Sequence, residues 1–492
     1  MSVTRTLADF VATRRTMPQS VKAAAGELIL DSVGCGLAAV STDLGLIVQR
    51  FVGAAGTGRE TVLGTTVKAS PALAAYANAR LINIIDQDET YMVLGHHANA
   101  ALGAALALAE RTSVDGAKLV EAFAIGFEVG ARAGNYMGSP LIVGEDGKVG
   151  GWHFPGPILG VYAACAAASV CLGLSAPQVE NAFGICGQYM PVNGGELWEA
   201  GRRVVSLPTV KYEDCGVNAQ AGLMAALMAQ EGMTGTLGVF DPANHLAGIA
   251  RPGAIADPDA LVARLGEDWR LTRTSFKPWP SCRWFHYVLT ALHFALRNNP
   301  VKASEVDRVQ LWSSSAACFF SDPEIGTNIV MDASFSLPHS AAMMLLGIPP
   351  GPAWFDPALV HREDVAALRR KVSVSLEPSV QDPAAWGNVA AWGKVDGQMK
   401  VPSRAAIHVG GQIFEASSDF ALGDCWSDRH RFTSDDVTEK FKTLAGSVAP
   451  QSGAWREHVG ELAQRFRRLD EVESVADLLA ELSPLSFAAK VG

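Results

Sequence analysis

The hydrophobic pattern of the chain changes near Asp268 from a helical period to an alternating one. Before this point, long segments such as Gln19 to Val40 repeat apolar residues at the three- and four-residue spacing of a helix, and many are rich in alanine and glycine. Helices lined by small side chains can pack at short distances from one another. We therefore predict an all-α domain over residues 1–267.

The region after Asp268 combines alternating and helical segments, which is typical of an α+β domain. Alternation of apolar and polar residues predicts strands over residues 269–276, 306–312, 371–376, 404–409 and 412–416. Gly410 and Gly411 indicate a hairpin between the last two strands. Helical patterns lie between the strands, at residues 286–298, 335–346 and 362–370, and return after Thr433. We predict a mainly α protein, in which an α+β lid domain (268–420) is inserted into a helical domain that residues 421–492 rejoin.

Charge and composition narrow the class of protein. With 492 residues, 49% of them hydrophobic, the chain can bury a large core. The net charge of −10 disfavours nucleic acid or an anionic membrane surface as a partner. The N-terminus lacks the apolar region of a secretory signal, and the eight cysteines form no C-x-x-C pair. We therefore expect a cytoplasmic protein with free thiols, and without a zinc or iron–sulfur centre.

One uncharged stretch, from Phe154 to Gln178, is long enough to span a bilayer. It consists mostly of small residues, contains Pro155 and Pro157 near its start and has no basic flank. We predict that it forms a buried helix of a large globular protein.

An acidic turn concentrates titratable side chains between two predicted helices, at residues 71–85 and 99–109. It contains Asp86, Asp88, Glu89 and Thr90, and after five further residues come two histidines, His96 and His97. A loop between buried helices suits proton transfer, because the scaffold fixes its geometry and burial tunes its pKa values. A solvated acidic turn fits the same residues. So does a metal-dependent hydrolase with the ligands Asp86, Asp88, His96 and His97.

Two further stretches place a polar side chain just before a helix. His153 precedes a predicted helix, where the dipole favours the neutral imidazole and so a role as base or donor, or simply as a helix start. Lys211 precedes the helix that begins near Val217, where it could bind a carboxylate together with free backbone N–H groups. Lys211 could equally form an ion pair with Glu213 or Asp214 in solvent.

The stretch from Lys277 to His286 is stiffened by Pro278 and Pro280. A fixed guanidinium such as that of Arg283 can grip a carboxylate through two hydrogen bonds at a low ordering cost. Cys282 next to Arg283 could be a thiolate nucleophile, although no Cys-His-Asn pattern supports this.

These stretches, in this order, resemble the MmgE/PrpD family, which includes 2-methylcitrate dehydratase, cis-aconitate decarboxylase and iminodisuccinate epimerase. The resemblance covers nearly the whole chain, and Lys277-Pro278-Trp279-Pro280-Ser281-Cys282-Arg283 is its most specific element. It implies a helical domain, an α+β lid, a homodimer, no metal or other cofactor, and a small di- or tricarboxylate as substrate.

The resemblance also implies roles for individual residues. The family's Asp-x-Asp-Asp-Thr motif falls on Asp86, Asp88, Glu89 and Thr90. The implied catalytic residues are Asp86, His96, His153 and His286. The implied substrate-binding residues are Thr90, Lys211, Lys277, Cys282 and Arg283. The chain departs from the family pattern at Gln87, Glu89 and His97, and we expect these departures to affect substrate identity.

The predicted function is that of a lyase that removes a proton next to a carboxylate and eliminates water, as 2-methylcitrate dehydratase does. A decarboxylase of the cis-aconitate type or an epimerase of the iminodisuccinate type would use the same groups. A carboxylate-binding protein without catalytic activity is the remaining alternative.

Overall fold

The computed structural model describes residues 2–91, 95–137, 141–143, 149–152, 160–189, 206–211, 214–244, 246, 258–381 and 399–491. Helices predominate among these residues, which confirms a mainly α protein. The boundaries of the predicted domains stay a prediction.

The N-terminal half is built of helices. They are α1 (Val3–Ala12), α2 (Gln19–Ala39), α3 (Asp43–Ala55), α4 (Pro71–Ile84), α5 (Ala98–Leu106), α6 (Ala109–Thr112), α7 (Gly116–Met137), α8 (Gly160–Leu172), α9 (Ala176–Tyr189), α10 (Cys215–Gln230) and α11 (Pro258–Val262). Short antiparallel pairs connect them: β1 (Glu60–Thr61) with β2 (Lys68–Ala69), and β4 (Leu141–Val143) with β5 (Val149–Trp152).

Small residues allow the central helices to approach closely, as the sequence predicted. Helix α8 packs against α5, α7 and α10. A Cβ atom added at Gly126 on α7 would lie 2.7 Å from the carbonyl oxygen of Ala163 on α8, so only glycine fits there. Every α8 residue from Gly160 to Cys171 is buried, which confirms a buried helix in the uncharged stretch. Within the described residues no single helix is long and apolar enough to cross a bilayer; only α2 and α3 taken together, with a 90° bend, meet that criterion.

The second half contains a four-stranded sheet and its covering helices. The sheet has the order β10 (Gln412–Ser418), β9 (Ser403–Val409), β7 (Arg308–Ser313), β8 (Val372–Leu376). Strands β7 and β8 are parallel and the other pairs are antiparallel. The hairpin turn is at Gly410 and Gly411, both with positive φ, as predicted. Helix α12 (His286–Asn298) packs on β9 and β10. The remaining helices are α13 (Ser315–Phe319), α14 (Ile329–Ser334), α15 (Leu337–Leu345), α16 (Pro357–Val360) and α17 (Glu363–Arg370).

The strand predicted over residues 269–276 is wrong for most of its length. Arg270–Arg273 is a 3₁₀ turn, and only Thr274–Ser275 is extended, as β6. The reason is a set of tertiary contacts, in which the Arg270 backbone N–H donates to Glu128 (2.6 Å) and the Arg270 side chain pairs with Asp268 (2.7 Å). Strand β6 does not join the four-stranded sheet; it pairs with β3 (Thr90–Tyr91) in the acidic turn.

The C-terminal residues fold back onto the first helices. They form α18 (Ser434–Gly446), α19 (Gly453–Arg467), α20 (Val475–Glu481) and α21 (Pro484–Val491). Helix α18 packs along α2, where Phe441 lies against Gly34. Two helices from opposite ends of the chain are therefore neighbours in the fold.

Candidate active site

Asp86 lies at the centre of a buried cluster of charged groups. Helix α4 ends at Ile84, and Asp86 adopts a left-handed conformation (φ 53°), which aspartate tolerates better than most residues. Its Oδ1 accepts a hydrogen bond from the Lys211 ammonium and lies 3.3 Å from Nζ of Lys277. All three side chains are buried. Two sequence-predicted binding residues and one predicted catalytic residue are thus brought together.

The two lysines determine the ionisation of Asp86. Burial alone would raise its pKa, but Lys211 and then Lys277 lower the pKa of Asp86 to about 2. Asp86 is therefore an ionised carboxylate at neutral pH, and its negative charge balances the two neighbouring ammonium groups.

Asp88 is held by side-chain amides. Its carboxylate accepts hydrogen bonds from Nδ2 of Asn83 (2.9 Å) and Nδ2 of Asn99 (3.0 Å). Nδ1 of His96 lies 3.4 Å from Oδ2 of Asp88. Burial opposes ionisation, but His96, followed by Lys277 and Lys211, lowers the pKa of Asp88. Asp88 is therefore held by two amides and lies beside the His96 ring, and the sequence singles out neither asparagine.

Glu89 caps a helix. Its Oε1 accepts hydrogen bonds from the backbone N–H groups of His97 (2.9 Å) and Ala98 (2.8 Å) at the start of α5. Burial, and then the neighbouring Asp88, raises the pKa of Glu89. The substitution of Glu89 for the family's aspartate is thus connected to the start of α5.

The residues that could hold a metal ion in the structure differ from the ligands predicted from the sequence. Possible ligand atoms of Asp88, Glu89 and His96 lie within 4.8 Å of one another, whereas Asp86 and His97 are not part of this group. Both carboxylates already accept N–H donors, and Lys211 and Lys277 lie close by. Donors and ammonium groups favour an anionic ligand over a cation.

We expect turnover to be independent of added divalent metal. Exhaustive dialysis against EDTA should leave the rate unchanged, because the carboxylates that would hold an ion are engaged by N–H groups. The measurement is the initial rate before and after dialysis, with total metal determined by elemental analysis. Loss of activity that Zn²⁺ or Mn²⁺ restores would contradict this expectation.

His97 packs in the hydrophobic core rather than facing the charged cluster. Its ring lies 5.6 Å from the Phe127 ring and 5.9 Å from the Tyr91 ring, between centroids. Burial, and then His96, lowers the pKa of His97 to about 3. The same cause lowers the pKa of His339 to about 4. These imidazoles are neutral in the folded protein.

Acid should destabilise the protein through these buried histidines. The pKa of a histidine is about 6.5 in an unfolded chain, and that of His97 is about 3 in the folded protein, so its contribution to stability is complete above about pH 6.5 and is lost as the pH falls towards 3. His97→Asn should therefore reduce the slope of unfolding free energy against pH in that window by up to about 1.4 kcal/mol per pH unit. Thermal unfolding at several pH values between about 4 and 7 measures this slope. The exposed His361→Asn is the control, and equal slopes in the two variants would refute the assignment.

The acidic turn is joined to the lysine segment (residues 275–286), although nearly two hundred positions separate them in the sequence. Strands β3 and β6 pair Thr90 with Ser275. Nε2 of Gln87 donates to the carbonyl oxygen of Pro278 (2.8 Å), directly after Lys277. Gln87 thus connects the two site-bearing segments.

His286 is a buried neutral imidazole in the lysine segment. Its Nε2 lies 3.2 Å from the Ser281 carbonyl oxygen, and its ring lies 5.5 Å from that of Trp279. Burial, followed by Lys277 and Arg283, lowers the pKa of His286 well below its usual range. Because a carbonyl can only accept, we infer that Nε2 carries the proton. Nδ1 is then an acceptor, and it has no hydrogen-bond partner among the described residues.

Arg283 forms a buried ion pair that the sequence did not suggest. One of its terminal nitrogens donates to Asp424 and to the hydroxyl of Tyr287 (3.2 Å). Asp424 also accepts from Oγ of Ser275 (3.0 Å). Nε and Nη1 of Arg283 have no partner within the described ranges, so two donors remain for a ligand. Its role as a carboxylate anchor stays a prediction.

Cys282 is a thiol rather than a thiolate. Burial, and then Asp86, raises the pKa of Cys282 to about 12. All eight cysteines are free, as predicted. The nucleophile hypothesis therefore lacks the ionised sulfur that it needs, while a substrate-binding role for Cys282 stays a prediction.

The other residues considered in the sequence analysis are Thr90, the residues around Lys211, and His153. The Thr90 hydroxyl is buried and, in the part of the chain that the structure describes, has no hydrogen-bond partner. Asp214 caps α10 by accepting from the Gly216 N–H (2.9 Å), and the buried Lys211 contacts Asp86. His153 and Glu213 lie outside the described residues.

Several buried polar atoms of the acidic turn and the lysine segment have no hydrogen-bond partner in the described part of the chain. Among the described residues they include Oγ1 of Thr90, Oε1 of Gln87, Nδ1 of His286 and two nitrogens of Arg283. An unsatisfied buried group costs about 1–3 kcal/mol, so a polar ligand that pairs with these atoms would remove that cost.

Fold and site together define a mainly α protein with a buried cluster of carboxylates, imidazoles and lysines. Comparison with known sequences shows its family. The chain belongs to the MmgE/PrpD family: the model of the MmgE/PrpD N-terminal domain matches residues 5–252, and that of the C-terminal domain matches residues 279–464.

Two curated relatives have names that describe a reaction. The chain is 29% identical over 300 residues to the cis-aconitate decarboxylase-like protein oryM of Aspergillus oryzae, covering 58% of this chain and 59% of that protein. It is 23% identical over 476 residues to cis-aconitate decarboxylase of Homo sapiens, covering 94% of this chain and 91% of the human protein. The first alignment thus spans less than two thirds of the Aspergillus protein.

Proposed function

We propose that this protein is a lyase that acts on a small di- or tricarboxylate by proton transfer at a carbon next to a carboxylate. The observation that carries the proposal is the ionised Asp86 in contact with both Lys211 and Lys277 in a buried site. An ammonium group has three donors, so Lys277 can bind a substrate carboxylate while it contacts Asp86. Burial strengthens both interactions, because water screens them less.

Decarboxylation of an unsaturated tricarboxylate of the cis-aconitate type is the reaction that the names of both relatives favour. The bond to the departing CO₂ breaks and its electron pair forms a new double bond. The electrons of the original double bond move to the carbon next to another carboxylate, which takes up a proton. Cations beside that carboxylate stabilise the charge that develops on it.

The proton must come from a group that has one to give. Asp86 is ionised, and His286 directs its N–H at the Ser281 carbonyl. Among the described imidazoles of the cluster, His96 is our candidate donor, because its Nδ1 lies 3.4 Å from Oδ2 of Asp88, two residues from Asp86. His153 remains the second candidate from the resemblance.

Dehydration of a 2-hydroxy acid is the second candidate function. It needs a base to remove a proton from carbon. Asp86 is present in the unprotonated form that this step requires, but the two lysines that lower its pKa also make it a weaker base. The same histidine would then protonate the departing hydroxyl group.

The test is incubation of the protein with a panel of small carboxylates, followed by NMR of the products and assay of released CO₂. The panel contains cis-aconitate, 2-methylcitrate, citrate, malate and iminodisuccinate. CO₂ release with a shorter unsaturated product supports decarboxylation, and an unsaturated product of equal carbon count supports dehydration. Inversion at carbon without either loss would indicate an epimerase. Failure to convert any of them would argue against a lyase of this substrate class.

A further inference from the structure

A buried ion pair that is not part of the candidate site contacts the main chain of the acidic turn. Asp31 on α2 and Lys440 on α18 form it, with Nζ of Lys440 2.6 Å from Oδ1 of Asp31. The same Nζ donates to the carbonyl oxygen of Gln87 (2.6 Å). Asp31 is fully buried and Lys440 is 8% exposed. The resemblance assigned no role to either residue.

The hydrogen bond to Gln87 lies where a small displacement of the main chain would change the geometry of the candidate site. Gln87 lies between Asp86 and Asp88, and its side chain donates to the Pro278 carbonyl oxygen next to Lys277. Lys440 therefore holds the main chain of the residue whose side chain connects the acidic turn to the lysine segment. A shift of the Gln87 carbonyl would move Asp86 relative to Lys277, which lies 3.3 Å away.

We propose that Lys440 is a positioning residue, which holds the acidic turn in register with the lysine segment and thereby sets the geometry of Asp86. Its effect on turnover rests on the proposed function, whereas its effect on the turn does not. Helix α18 follows the α+β region in the sequence but packs on α2, so both chain ends contribute to one anchor.

The energetic reasoning is that of a preorganised site. Asp86 has a positive φ, a conformation that persists only where surrounding contacts enforce it. The lysine donor supplies such a contact at the next residue. Misplacement of a reacting group by about 1 Å can cost about 10²-fold in rate.

Two variants separate positioning from general stabilisation. Asp31→Asn keeps the Lys440 donor to Gln87 and replaces the carboxylate by a neutral acceptor of similar shape. Asp31→Asn combined with Lys440→Met removes the donor and leaves no unpaired buried charge, so the double variant should fold. Asp31→Asn leaves the Lys440 ammonium without its counter-ion and should be the less stable of the two. Circular dichroism and the thermal midpoint establish that both variants fold.

The first readout is hydrogen–deuterium exchange of peptides that cover residues 83–91. We expect exchange there to be about tenfold or more faster in the double variant than in Asp31→Asn, with equal exchange in α8. Equal exchange of residues 83–91 in the two variants would overturn the proposal, whatever the enzyme's substrate proves to be.

The second readout is kinetic, on the best substrate from the carboxylate panel. The double variant should lose about 10–10²-fold in kcat with a KM within about threefold of that of Asp31→Asn, because both site lysines remain. Loss of activity in proportion to thermal midpoint in both variants would indicate a merely structural role and overturn the proposal. Faster exchange combined with a wild-type protein that converts no carboxylate would leave Lys440 as the anchor and refute the proposed function instead.

Discussion

Replacement of Asp86 by asparagine is expected to lower kcat by about 10²–10⁴-fold, the usual contribution of an acid–base group. The amide keeps the shape of the side chain but removes the negative charge that both Lys211 and Lys277 contact. A base would be lost in dehydration, and the alignment of the two lysines would be lost in decarboxylation. Steady-state kinetics on the best substrate measures the effect.

Asp31→Asn is the matched control for Asp86→Asn. It too removes a buried carboxylate from a lysine, since Asp31 pairs with Lys440, but it leaves the cluster at Asp86 intact. Similar thermal midpoints with a loss of kcat confined to Asp86→Asn would support a role for Asp86 in the reaction. Comparable losses of kcat in the two variants would show that unpaired buried lysines, and not the chemistry of Asp86, account for the effect.

The second large effect is expected for Lys277→Met. This change removes an ammonium group at the centre of the site while it keeps the length of the side chain. A hydrogen bond to a charged group contributes about 1.5–3 kcal/mol, so kcat/KM should fall by about 10–150-fold, mostly through KM if Lys277 binds a substrate carboxylate. Loss of one of its two lysines should also raise the pKa of Asp86.

Arg369→Met controls for loss of a buried cation. Arg369 donates to the carbonyl oxygens of Pro323 and Val360, both at 2.7 Å, and it contacts none of the site residues described above. Its replacement should lower stability without changing KM. A normal KM in Lys277→Met would exclude Lys277 as a substrate anchor.

Much of this architecture could be predicted because it depends on local patterns. The helical segments, the strands from Val306 onward and the hairpin at Gly410 follow from hydrophobic period and turn residues. Asp86, Lys211 and Lys277 were singled out as titratable groups in loops next to helices, and the resemblance linked them. Their contact could not be predicted from the sequence alone, because the three residues come from separate segments of the chain.

The contacts that sequence reasoning missed are long-range pairings of residues without a local signature. Asp31 and Lys440 are separated by about four hundred positions, and each is one of several charged residues on its helix, with no local pattern that distinguishes it. Asp424 is an isolated acid in a turn, yet it pairs with Arg283. The strand predicted over residues 269–276 failed for a related reason, because contacts of Arg270 with Glu128 and Asp268 override its alternating pattern.

The three residues that depart from the family pattern, Gln87, Glu89 and His97, each have a defined contact in the structure. Gln87 connects to the Pro278 carbonyl, Glu89 caps α5 and His97 packs against Phe127. All three had been expected to affect substrate identity. Their observed contacts support the acidic turn itself, so they would act on a substrate through the position of Asp86 and His96.

The measurement that tests the central claim most directly is turnover of cis-aconitate by the wild-type protein in D₂O, followed by NMR and mass spectrometry of the product. A site that transfers a proton to the carbon next to a carboxylate should give a product with one solvent-derived deuterium at that carbon for each CO₂ released. A product without carbon-bound deuterium, or no conversion of cis-aconitate alongside full activity on a substrate without carboxylates, would contradict the account.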